Sequence, residues 1–190
     1  MAFAVWITGL SGSGKSTIAS AFLELSKKNK ISAAYLNMDS LRKRLIKNPN
    51  YMEKERGTAY KKFAVMGILE CKKGKNVIFD ATAHKIKYRN YARRRIKNFI
   101  EVYAKCPLNA CIRRETKRKG GKVMAGIYMK ALERKSTGKN FAGLGNVIGI
   151  DVPYEENRHA EITIDSLKTT PAKAARIIFD FLKTKNKEED

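Results

Sequence analysis

Residues 9–16 read Gly9-Leu10-Ser11-Gly12-Ser13-Gly14-Lys15-Ser16: a glycine, four residues, then Gly-Lys-Ser. This is the spacing of the phosphate-binding loop. Its glycines let the backbone wrap closely and turn a row of N–H groups inward. With a helix N-terminus behind them, those groups form a cradle for anionic oxygens. Gly9, Ser11, Gly12, Ser13, Gly14, Lys15, Ser16 and Thr17 are therefore the expected ATP-binding residues. Lys15 is expected to reach the β- and γ-phosphates, and the Ser16 hydroxyl to ligate Mg²⁺.

The flanks suit the motif. Residues 2–8 are a short apolar run, as in a buried parallel strand. Residues 17–28 carry Ile18, Ala21, Phe22 and Leu25 at helical spacing. Strand, loop, helix is the order the motif requires. Further strands are predicted at 31–37, 76–79, 99–104 and 161–165. Helices are predicted over 40–47, 53–73, 85–97, from Pro107 onward, and over 171–182. This alternation predicts an α/β fold: a P-loop-type parallel sheet sandwiched by helices, like the nucleoside and nucleotide kinases. Residues 1–182 read as one kinase domain, with 183–190 as a frayed tail. Within it, about 116–146 is rich in Lys, Gly and Ser and reads as a mobile lid with a short helix near 127–135.

The chain has 190 residues and is 43% hydrophobic, enough to bury a substantial core. The N-terminal apolar run leads straight into the loop, so it is read as neither a signal peptide nor a membrane span. Cys71, Cys106 and Cys111 show no metal-ligand spacing and read as reduced thiols, pointing to the cytoplasm. Forty Lys and Arg against eighteen Asp and Glu give a net charge of +22. Such a surface attracts anions, nucleotides or nucleic acids among them. The basic residues are scattered and lack aromatic interleaving, which favours an anion-handling enzyme over a nucleic-acid binder. The oligomeric state is left open, a homodimer included.

Ligands of such sheets bind beyond the C-terminal strand ends, so the loop, Asp39 and Asp80 belong to one cleft edge. Phosphoryl transfer needs positioning, charge neutralisation and a group to take the acceptor's proton. Asp39 is the candidate base; the alternative is an N-cap for the helix that follows. Asp80 either holds Mg²⁺ through water, orients the acceptor, or caps the next helix. Arg42, one helical turn beyond Asp39, could fork onto a phosphate or sulfate. His84 and His159 read as capping or packing residues, and Tyr88 and Tyr91 as helix packing.

Four stretches resemble adenylylsulfate kinase. They are Gly9 to Thr17; Asp39-Ser40-Leu41-Arg42; Glu101-Val102-Tyr103 with Cys106-Pro107-Leu108 and Cys111; and Ile148-Gly149-Ile150-Asp151-Val152-Pro153-Tyr154-Glu155. The last is similar to that family's Thr-Gly-Ile-Asp-x-Pro-Tyr-Glu segment. The resemblance implies transfer of the ATP γ-phosphate to the ribose 3′-hydroxyl of adenylylsulfate, with Mg²⁺. Asp39 and Lys15 would be catalytic and Ser16 and Asp80 would serve the metal. Asp39, Arg42, Lys61, Ala81, Thr82, Lys130, Ile148 and Gly149 would meet the acceptor. The sequence departs from the family on that side. Asn37 stands where the family has Asp, Lys61 where it has an Arg pair, and Ala81-Thr82-Ala83 where it has Ile-Ser-Pro. These departures keep two alternatives open: a kinase of the same fold acting on another nucleotide or an RNA end, and an ATP-switched nucleic-acid binder.

Overall fold

The strand ahead of the loop, β1 (Phe3–Thr8), is buried at every position. An apolar run with no exposed face must lie inside a sheet covered on both sides. The computed structural model, which describes residues 2–117 and 124–187, shows this arrangement. Five parallel strands lie in the order β2-β3-β1-β4-β5, with β2 (Ala33–Asn37), β3 (Asn76–Asp80), β4 (Asn98–Lys105) and β5 (Ile162–Asp165). Ile7 of β1 is in register with Asp80, and Asp80 in turn with Asn37. The strand ends that carry the polar residues are thus side by side.

One face is covered by α1 (Lys15–Lys28) and α7 (Pro171–Lys187) around Val5, Ile7, Phe22 and Ile178. The other is covered by α2 (Met38–Leu45), α3 (Glu53–Lys72) and α4 (Ile86–Arg93). Its centre is Trp6, stacked on Phe79 with ring centroids 4.6 Å apart and edge-on to Phe63 at 5.6 Å. Gly67 weakens α3 by propensity, but a Cβ there would collide with the Phe79 ring. The glycine lets α3 lie close on the sheet.

A third apolar cluster joins α5 (Leu108–Thr116), α6 (Ile127–Thr137) and residues 141–150 around Tyr128, Ala131, Leu144 and Cys111. Of the segment expected as a lid, residues 124–146 are therefore packed; residues 118–123 lie outside the described residues.

The expected tail also differs. Residues 183–187 continue α7, and 188–190 lie outside the described residues. The extension follows a buried Leu182, with Lys183 and Lys185 favoured at the negative end of the helix dipole. Conversely, α4 stops at Arg93, short of the expected 97. Among the described residues, no helix is long and apolar enough to cross a membrane.

Candidate active site

The loop is threaded through a narrow gap. At Gly9 (φ 142°) a Cβ would stand 2.6 Å from the Ala104 carbonyl oxygen, and at Gly12 (φ 78°) 2.5 Å from that of Cys111. Both positions need a positive φ and no side chain. The helix behind the loop starts two residues earlier than expected, at Lys15, so the loop's amides lead directly into α1. Lys15 is buried and donates from Nζ to the Leu10 carbonyl at 2.7 Å, arching over the loop it serves.

A cleft of about 1130 Å³ opens in front. Ser11, Gly12, Ser13, Gly14, Lys15, Ser16 and Thr17 line it, together with Asp39, Arg42, Asp80, Ala81, Thr82 and Ile148. Four expected residues are not brought to it. Gly9 packs under the loop against Ala104. Gly149 (φ 95°) backs the loop, where a Cβ would meet Leu108 and Leu10 at 3.1 and 3.3 Å. Lys130 is half-buried on α6, whose Ile127 lines the cleft instead. Lys61 is exposed on α3. Arg56 and Tyr60, four apart on one helical face, line the cleft, and the next residue is rotated ~100° away.

Asp39 is exposed in the first turn of α2. The alternative of a capping role passes to Asn37, whose Oδ1 accepts from the Ser40 N–H and hydroxyl, both at 2.8 Å. The same amide donates from Nδ2 to Asp80 Oδ2 at 2.6 Å. Tyr35 donates its hydroxyl to that oxygen at 2.7 Å. Burial, reinforced by the Asp80 charge, pushes the Tyr35 phenol above its ordinary range, so it stays a donor.

Beside Arg42 lie groups that sequence reasoning missed: Tyr51, Glu55, Arg56 and Tyr60. Arg42 is buried and paired with Glu55 at 2.6 Å. Its guanidinium lies 5.1 Å over Tyr51 and 5.6 Å over Tyr60. Arg56, also buried, donates to the Tyr51 carbonyl at 2.8 Å and the Asn146 carbonyl at 2.6 Å. Tyr51 takes a left-handed φ of 56°, and the loop residue Gly145 fits against it only because it lacks a side chain. At the opposite end, Arg114 donates to the Ser166 hydroxyl at 3.1 Å and carbonyl at 2.8 Å, beside Gly14. The i, i+4 spacing of Arg56 and Tyr60 was the one available signal.

His84 is fully buried against Glu53, with Nε2 3.2 Å from the carboxylate. Burial, with Arg56 nearby, pulls its pKa down to about 4, so it is neutral and a packing residue. The Ile148–Glu155 stretch is largely a brace. Asp151 Oδ2 accepts from the Val147 N–H and from Arg134, each at 2.6 Å. Tyr154 stacks on Tyr103 at 5.5 Å and shares a hydrogen bond with Thr8 at 2.9 Å.

Residues 1–165 match the model of the family described as adenylylsulphate kinase. The chain belongs to the adenylylsulphate kinase family. It is 31% identical over 168 residues to a probable adenylyl-sulfate kinase of Archaeoglobus fulgidus, covering 88% of this chain and 98% of that one. An adenylyl-sulfate kinase of Clostridium acetobutylicum is 34% identical over 180 residues, covering 94% and 82%. Among solved structures, the Mycobacterium tuberculosis APS kinase in complex with AMPPNP and APS matches with a TM-score of 0.80 at 27% identity, over 96% of this chain and 98% of that one. A sugar kinase of Janibacter shares the fold alone, at a TM-score of 0.66 and 17% identity.

Proposed function

We propose that this protein transfers the γ-phosphate of ATP to the 3′-hydroxyl of adenylylsulfate, giving ADP and 3′-phosphoadenylylsulfate. The observation that carries the reading is the convergence of Lys15, Asp39 and Arg42 on one cleft, in a chain whose fold matches a kinase solved with AMPPNP and APS. The loop amides and Lys15 bind the phosphates and neutralise the charge that spreads over the transferring group. The Asp39 carboxylate takes the proton of the 3′-hydroxyl as its oxygen attacks. Arg42, Arg56 and the two tyrosines form the wall against which the acceptor is held.

Ser16 and Asp80 line the same cleft and are hard oxygen donors, which suits Mg²⁺, an ion that takes few protein ligands besides phosphate oxygens and water. Held by Ser16 and Asp80, Mg²⁺ would supply charge neutralisation to the transferring phosphates. We read 1–182 as the catalytic domain and 116–146 as its lid; from the described part of that stretch, Met124, Ile127, Gly143 and Asn146 line the cleft. The partners in this reading are nucleotides and the compartment is the cytoplasm.

The acceptor-side differences from the resembled pattern at Asn37, Lys61 and Ala81 to Ala83, with the net charge of +22, motivate a second reading: the same transfer to another nucleotide or an RNA end. An acceptor panel with labelled ATP and Mg²⁺ separates the two. Turnover of adenylylsulfate that collapses in Lys15→Ala is expected. Turnover of RNA ends with none of adenylylsulfate would overturn the first reading.

A further inference from the structure

Asn37 and Asp80 occupy the same register on adjacent parallel strands, so their side chains project side by side from the sheet's C-terminal edge. The amide's orientation follows from its neighbours. Nδ2 faces the Asp80 carboxylate at 2.6 Å, and Oδ1 faces the Ser40 N–H at 2.8 Å. Turned over, it would set oxygen against carboxylate and N–H against N–H. A side chain that must donate on one side and accept on the other cannot be aspartate, which only accepts. The carboxylate of this pair stands at Asp80, with Tyr35 as its second donor.

We propose that Asn37 is a positioning residue for the phosphoryl transfer. Its amide clamps the Asp80 carboxylate with one end and the first turn of α2, which carries Asp39, with the other. The cleft carboxylate and the base are thereby held as one unit, and the site requires a single carboxylate in the 37/80 pair, on either strand. The kinetic part of this inference rests on the proposed transfer to adenylylsulfate.

Reciprocal exchange tests it. Asn37→Asp still caps α2 but loses the donor to Asp80. Asp80→Asn loses the carboxylate, and N37D/D80N restores one carboxylate and one amide with the strands exchanged. Removing such an orienting partner costs ~10–100-fold in activity or metal affinity. Each single variant should fall in kcat by that order with the KM for Mg·ATP rising as its affinity falls, and the double should exceed both. Calorimetric affinity for Mg·AMPPNP should follow the same order. A Asn37→Asp variant with wild-type kcat, or a double variant no better than the slower single, would overturn the clamp. Asn37→Ser keeps a capping oxygen but cannot span to Asp80. It repeats the test without adding a charge: reduced kcat and Mg·AMPPNP affinity support the clamp, and wild-type values overturn it. If the wild-type protein does not turn over adenylylsulfate, the proposed function fails. The Mg·AMPPNP affinities then still decide the clamp.

Discussion

The two halves of the cleft are built in opposite ways. The ATP half is assembled from consecutive residues, Ser11 to Thr17, whose glycines dictate their own backbone path. The acceptor half draws Asp39 and Arg42 from α2, Tyr51 from the turn before α3, Arg56 and Tyr60 from α3, Asp80 to Thr82 from the end of β3, and Asn146 and Ile148 from the 141–150 segment. Its bonds are long-range in sequence: Arg56 to Asn146 spans 90 residues and Asn37 to Asp80 spans 43. A local site changes little when distant residues vary. A distributed site depends on many contacts that are far apart in the chain.

The largest effect expected falls where the halves meet. Asp39→Asn should lower kcat by ~10²–10⁴, the contribution of a positioned base, with Mg·AMPPNP binding intact by calorimetry. Full activity would remove Asp39 as the base and leave the halves chemically unlinked. Lys15→Ala breaks the ATP half and should cost ~10²–10³ in kcat, as loss of one charge-stabilising donor does. An equal loss with every acceptor in the panel is the expected signature. Arg56→Ala breaks only the acceptor half. Losing a buried charged donor should raise the acceptor's KM and cost ~1–3 kcal/mol of stability by urea denaturation. An unchanged KM for ATP would confirm that the halves are separable; a matching rise would show that they are not.

The smallest effect concerns the support beneath the acceptor half. His84 is held down at about 4 from its ordinary 6.5, so below pH 6.5 the unfolded chain binds the proton that the folded chain refuses. Stability should therefore fall as the pH drops from 6.5 to 4 and lose nothing further to His84 below that. Glu53 acts in a lower window. Its carboxylate is held down to about 2 from 4.5 by its bonds to Lys85 and Tyr88, against the opposing effect of burial, and its contribution is lost between those values. Urea midpoints across pH 4–7 for wild type and His84→Gln check the first window, where the variant's profile should be flatter.

Much of the fold was legible because β1 is an unbroken apolar run and α1 is amphipathic. Those patterns report burial directly. Alternation then led to five parallel strands, all of which the structure contains. Lys61 was misread because an aligned charge says nothing about which way a helix is rotated. On α3 the core face runs through Ala59, Phe63 and Gly67, and Lys61 lies off it. Asn37 was noticed only as a departure, since a residue's partners on another strand leave no trace in its own neighbourhood. Arg56 and Tyr51 went unnoticed because the 141–150 segment that packs on them lies far along the chain.

The phosphate loop, the alternation of strands and helices, and the candidacy of Asp39 were determined by the sequence alone, because each rests on spacing within about a dozen residues. The pairing of Arg42 with Glu55, the outward turn of Lys61 and the hydrogen bond from Asn37 to Asp80 were decided only by the tertiary structure. Those depend on strand order and helix rotation, which follow from how the two apolar faces of one sheet are covered and so belong to no single stretch of the chain.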